Sequence, residues 1–146
     1  MNSRGHVGLT LTILTPTLAF LSSKGFESTV FLILAITLST LPDIDLKIGL
    51  PHRRYTHNIF FIILSSLFFG YLTSLILGDF NLGLYSTLTS GLIHLIGDLM
   101  TYMAFSPLYP ISDVCISLRL FKSNDALVNN ILLITGVLML TVYLIT

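Results

Sequence analysis

His94 and Asp98 stand four residues apart in the run His94-Leu-Ile-Gly-Asp98. On a helix that spacing puts an imidazole and a carboxylate on one face, one turn apart. Counting back by fours gives Ser90 and Ser86, and three residues on is Thr101, so the face is polar although the segment 82–99 is mostly apolar. Ionisable groups inside an apolar helix are costly unless they meet a partner, a cavity or a metal. Either residue alone is explained by an interhelical hydrogen bond. The pair at ligand spacing favours a metal.

Two further stretches carry the same residue types. Leu41-Pro42-Asp43-Ile44-Asp45 offers two carboxylates two residues apart, just after an apolar run. In extended backbone both point the same way, one to bind a metal and the other to orient a histidine. The plain alternative is a helix-ending turn with solvated aspartates. His52-Arg-Arg-Tyr-Thr-His57 spaces its histidines by five, which no single helix face presents together. His52 therefore belongs in a loop and His57 at a helix start. Interfacial contact with lipid headgroups is the alternative there, and it suits the arginines. His6 precedes the first apolar run.

Imidazoles with carboxylates and no thiolates suit zinc, manganese or iron rather than calcium. His6, Asp43, Asp45, His52, His57, His94 and Asp98 exceed the three or four protein ligands that one zinc takes. One or two Zn2+ are expected, with Mn2+ or Fe2+ as alternatives; a pair would sit roughly 3.5–4 Å apart, the arrangement that clamps an in-line displacement at phosphorus. Arg53 and Arg54 would hold a phosphate. Asp45, Arg53 and Arg54 are the expected catalytic residues. The chain has no G-x-S-x-G, H-E-x-x-H or P-loop, so serine hydrolase, zincin and NTPase readings lack support.

The elements that must position these groups are membrane helices. Of 146 residues 53% are hydrophobic and 10% charged, against about 25% charged in a soluble domain, and the mean hydropathy is +0.90. Net charge is zero and the basic residues form no block, which argues against nucleic acid. The single cysteine, Cys115, excludes an intramolecular disulfide and a Cys-rich zinc site. Arg4 before an apolar run imitates a signal peptide, but no small-x-small cleavage site ends the run. It reads as a retained first span of a single membrane-embedded domain, 1–146.

Apolar segments cover 7–21, 29–41, 58–77, 82–99 and 131–145. The second is short for a crossing, which takes about 20 residues. Pro42 closes it, Thr56 or Asn58 caps the third, and 78–81 is a turn. Ser66, Gly70 and Ser74 form a packing seam. Residues 102–130 read as a loop, with 116–121 lying on the membrane surface. Five crossings would put Arg4, Lys47, Arg53, Arg54, Arg119 and Lys122 on one side and only Lys24 on the other. The positive-inside rule then makes the N-terminus cytoplasmic. The expectation is an all-α polytopic transmembrane bundle of four to five spans in the cell membrane, with its His/Asp cluster facing the cytoplasm.

The ordered set His6, L-P-D-I-D (41–45), H-R-R-Y-T-H-N (52–58) and H-L-I-G-D (94–98), with Thr101 and a proline at 107–110, resembles the YdjM-like family. That resemblance implies an inner-membrane-associated, metal-dependent hydrolase, with a type member linked to LexA binding. It marks His6, Asp43, Asp45, His52, His57, His94 and Asp98 as site residues. The chain departs from the family pattern at Arg54, Asn58 and Ala104. More distantly the His/Asp pattern is similar to zinc-dependent phospholipase C and P1 nuclease.

The expected function is a membrane-bound, metal-dependent hydrolase of a phosphoester, a phospholipid or lipid-linked phosphate, at the cytoplasmic face. The alternatives are a metal-ion or proton transporter, which needs a polar path across the bilayer, and a non-enzymatic membrane protein that binds a regulator. The lipid bilayer is the expected partner. The chain is small for an enclosed site, which leaves room for a second copy or another protein.

Overall fold

Side-chain caps decide where three of the helices begin. Asn2 accepts from the Gly5 amide at 3.1 Å and opens α1 (Ser3–Phe20). Asn58 accepts from the Phe61 amide at 2.8 Å and opens α4 (Ile59–Leu77). Asp79 accepts from the Leu82 amide at 3.1 Å and opens α5 (Phe80–Leu99). Each takes up an amide that has no partner within the first turn. Of the two candidate caps for α4, Asn58 does the work. Gly78, at φ 76°, ends α4 in the left-handed conformation that favours glycine.

The computed structural model describes residues 1–21, 25–49 and 51–145. The remaining elements are α2 (Phe26–Leu38), a 3-10 turn (Leu41–Asp43), the short α3 (Ile44–Ile48) and α6 (Ala126–Ile145), with no strand among the described residues. Lys24, the one basic residue expected on the opposite side, lies outside the described residues.

Helix α5 is central: it packs against α4, α2 and α1, while α1 runs along α6. The α1–α6 contact depends on glycine. A Cβ on Gly8 would lie 2.4 Å from the backbone of Leu132, and one on Gly136 2.6 Å from the Gly8 carbonyl oxygen. Leu9, Leu11, Leu14, Leu32, Ala35 and Ile93 fill the core between these helices. The seam expected on α4 holds at Ser66 and Gly70, but Thr73 is the buried third member and Ser74 is exposed.

Three stretches are long and apolar enough to cross a membrane: Phe26–Ile48, Ile59–Leu77 and Ala126–Ile145. Helices α1 and α5 are less apolar, because they carry the polar residues, and much of α5 is buried inside the bundle. The second segment gains its length from the turn and α3 beyond Leu38. Helix α2 itself ends at Leu38, and Pro42 sits near the start of the 3-10 turn that follows, where a missing amide hydrogen costs nothing.

Residues 116–121, expected as a surface-lying part of a loop, adopt an extended course. They pair with the stretch after α5: Leu118 N donates to Leu99 O at 2.7 Å, Leu120 N to Met100 O at 2.9 Å, and Ile116 N to Phe105 O at 2.9 Å. Leu118 and Leu120 stay exposed.

Candidate metal centre

Five segments bring their polar residues to one end of the bundle. His6 comes from the start of α1, Asp43 and Asp45 from the turn after α2, His52 to His57 from the loop before α4, and His94 and Asp98 from the end of α5. A Cβ on Gly97 would lie 2.7 Å from the Met1 side chain and 3.0 Å from Leu9, so the bare glycine lets α1 set His6 beside Asp98. His6, His57, His94, Asp45 and Asp98 are fully buried, whereas the side chains of Asp43 and His52 retain 15% and 22% exposure.

The hydrogen bonds behind the imidazoles fix which nitrogen faces inward. His94 Nδ1 lies 2.7 Å from the Ser39 carbonyl oxygen, which can only accept, so Nδ1 carries the proton and Nε2 is a lone pair. Thr56 donates its hydroxyl proton to Asp45 at 2.9 Å, so its oxygen accepts from His57 Nδ1 at 3.0 Å. In the neutral ring His57 Nε2 is then also a lone pair. The two Nε2 atoms stand 3.2 Å apart. His52 Nδ1 lies 3.0 Å from Asp45, which leaves its Nε2 free as well. A carboxylate or carbonyl behind an imidazole is the usual way to orient a metal-binding histidine.

The carboxylates complete the set. His57 Nε2 is 3.3 Å from Asp43 Oδ1 and 3.2 Å from Asp98 Oδ2. His94 Nε2 is 3.8 and 3.7 Å from the same two oxygens. Ligands held about 2.0–2.2 Å from a zinc ion in a tetrahedron are spaced by comparable distances. His6 stacks on His94, ring centroids 3.6 Å apart, with its Nε2 3.3 Å from Asp98 Oδ1. Both ring nitrogens of His6 and Oδ2 of Asp98 are buried without a hydrogen-bond partner. One His6 nitrogen carries a proton, so the other and Asp98 Oδ2 are orphaned buried acceptors, and such acceptors in one cluster fit a missing cation. The donor set therefore could hold a divalent metal: His6, Asp43, His94 and Asp98 can each place a ligand atom within 4.8 Å of the others, and so can Asp43, His52 and His57.

His57, which lies outside the helical spans, titrates above the ordinary imidazole value. Burial works against its charged form, but the hydrogen bonds that Nε2 makes to Asp43 and Asp98 once protonated, and the negative charges of the two carboxylates, outweigh that cost.

The expected catalytic residues part company. Asp45 belongs to neither ligand group; its oxygens accept from the Arg53 amide at 2.9 Å, from Thr56 and from His52. The reason is that 41–48 is helical rather than extended, so residues two apart diverge. Asp43 turns to the cluster and Asp45 to the loop behind it. Arg53 is buried, with Nη2 2.8 Å from Asp98 Oδ1 and Nη1 3.0 Å from Thr101 Oγ1. It also donates to the Met103 carbonyl, and the Met1 amine contacts Asp98. The backbone of Arg53 is left-handed at φ 65°, a strained conformation held by its amide bond to Asp45. Arg54 points elsewhere, its guanidinium 5.6 Å from the Tyr109 ring.

Residue types gave no sign of the Ser39 carbonyl, a backbone group. Thr56 and Thr101 were visible as polar neighbours of His57 and Asp98, but only the fold shows what they hold.

Along its whole length, residues 1–146, the chain matches the YdjM inner membrane protein family. The chain belongs to that family. With three apolar stretches able to cross a bilayer, this YdjM-family chain is an integral inner membrane protein. No curated protein and no solved structure matches it, and the expected distant likeness to phospholipase C and P1 nuclease finds no support.

Proposed function

We propose that this YdjM-family protein is a metal-dependent hydrolase of a phosphoester, a phospholipid or lipid-linked phosphate, at the cytoplasmic face of the inner membrane. The observation that carries the reading is the pair of inward-facing lone pairs on His57 and His94, 3.2 Å apart, beside the unpartnered Oδ2 of Asp98. Asp43, His94 and Asp98, with His6, His52 and His57, would hold the metal; zinc suits them best, then manganese or iron. Bound there, it would supply Lewis-acid polarisation of a phosphoryl oxygen and acidify water.

The chain's own residues supply the rest. A cavity of about 420 Å3 lies beside the cluster, lined by His52, Arg53, Arg54 and Ser106 among others. Arg53 has a buried Nε with no partner. Both arginines line that cavity, and their guanidinium groups would supply the donors for a phosphate there. Asp45 positions His52 and the Arg53 backbone. The exposed apolar Ile111, Leu118 and Leu120 favour a lipid-borne substrate. Six basic residues at or near the cluster's end support a cytoplasmic orientation, in which α1 and α5 also cross.

The transporter reading is weaker. Its polar track along α5 would run through Ser86 and Ser90, and their hydroxyls are committed to the Gly83 and Thr87 carbonyls of their own helix.

Hydrolysis in mixed micelles with zinc, manganese or iron, read as release of the headgroup from phospholipid and of phosphate from lipid-linked phosphate, tests the reading. Turnover that depends on metal and falls to background in Asp98→Asn is expected. No release with any divalent ion would overturn it.

A further inference from the structure

The titratable residues at the cluster fall into two sets that overlap at one residue. His6, Asp43, His94 and Asp98 form one; Asp43, His52 and His57 form the other. Only Asp43 belongs to both. We infer that the cluster holds two metal ions bridged by Asp43, a closed inner ion and an open outer one. The inference rests on the metal-dependent reading above.

Number comes first. Six residues present ligand atoms, and one zinc takes at most four protein ligands in its usual tetrahedral site. A carboxylate has two oxygens and can serve an ion with each. Asp43 sits between the two sets on the turn between α2 and α3, the same oxygen, Oδ1, lying 3.3 Å from His57 Nε2 on the outer side and 3.8 Å from His94 Nε2 on the inner side.

Character comes next. The inner set has four ligands, and three of them, His6, His94 and Asp98, are fully buried. A closed four-ligand position is the structural type. The unpartnered nitrogens of His6 and Oδ2 of Asp98 belong to this set. The outer set has three ligands, the pattern of a position that keeps a site open for substrate or water. Its members include the two partly exposed ligands, Asp43 and His52, and His52 lines the cavity shared with Arg53 and Arg54. His57 Nε2 lies at the boundary, within 3.3 Å of both Asp43 and Asp98. It falls to the outer ion because His6 completes the inner four without it. Asp45 and Thr56, bonded behind His52 and His57, are positioning residues for the outer ion. The inner ion is therefore retained and the outer ion exchanges.

Zinc counting on detergent-purified protein, stripped, reloaded with excess Zn2+ and desalted, tests this without recourse to activity. Wild type is expected to hold two ions per chain, one of them lost at a lower chelator concentration than the other. His52→Gln changes only an outer ligand on a partly exposed loop residue, and is expected to hold one ion, the tightly bound one. Asp98→Asn is expected to weaken the inner ion by about 10-fold or more. One ion in wild type would overturn the two-ion assignment, and two in His52→Gln would overturn the outer ligand set; either would leave the hydrolase reading standing. No ion in wild type would overturn both.

Discussion

His57 and His94 come from different segments, yet their Nε2 atoms face each other across 3.2 Å with both protons held on the far side of the rings. Two lone pairs in that relation repel in a dry interior unless a cation, a proton on His57 or a metal ion, lies between or beside them. A bound metal should therefore stabilise the fold. At a hundredfold excess over its Kd the gain is about 2.7 kcal/mol. Chelator added to detergent-purified protein should lower the melting temperature, and zinc should restore it. A melting temperature indifferent to both would count against the site.

Arg53 and Arg54 are adjacent but should behave differently. Arg53 is buried and bonded to Asp98 and Thr101. Arg53→Ala removes one partner of a buried ion pair, a loss of roughly 3 kcal/mol, and bound metal should reduce that loss by taking over the charge of Asp98. Arg54 is exposed beside Tyr109, and Arg54→Ala should move stability by less than about 0.5 kcal/mol. Thermal unfolding of both variants, with and without zinc, checks the contrast. Equal effects would contradict the placement of Arg53.

Asp45 touches three groups that touch the cluster: His52, Thr56 and the Arg53 amide. Asp45→Asn keeps the shape but weakens the acceptor behind His52. Metal affinity should drop about 10- to 100-fold, measured by competition with a chromophoric chelator. An unchanged affinity would show that Asp45 does not orient the ligands.

His57 sets a pH dependence with two opposite signs. Its folded pKa is raised above the ordinary 6.5. In metal-free protein its stabilising contribution is full below about 6.5 and is lost as pH rises through the folded value. Metal needs the neutral ring, so affinity strengthens over the same rise. The gap in melting temperature between loaded and metal-free protein should widen from pH 6 upward. A gap that narrows would contradict the role of His57 as a ligand.

Gly8 and Gly136 set how closely α1 approaches α6, and so how α1 lies as it carries His6 to the cluster. Gly8→Ala puts a methyl group 2.4 Å from the Leu132 backbone. Overpacking of this kind costs roughly 1–3 kcal/mol. Both the melting temperature and zinc occupancy should fall. Unchanged values for both would mean that α1 adjusts without moving His6.

Much of this was legible because charge is expensive in an apolar chain. The His94–Asp98 pair, the His52–His57 spacing and the turn at 78–81 could be read from residue types alone. For the Asp43–Asp45 pair the division of roles, one carboxylate towards the metal and one behind a histidine, is legible in sequence. Which takes which is not, because it depends on the helical turn that makes residues two apart diverge. Arg53 and Arg54 were indistinguishable in sequence; only the left-handed backbone at Arg53 turns one inward and leaves the other outside. The extended course of 116–121 was hidden because its apolar residues stay exposed, and its order comes from backbone bonds to 99–105.

The most direct test of the central claim is metal content by mass spectrometry, wild type beside the double variant His94→Ala/Asp98→Ala, both purified in detergent. The geometry predicts near-stoichiometric zinc, manganese or iron in wild type and its loss in the variant. No metal in wild type, even after reconstitution with divalent ions, would contradict it.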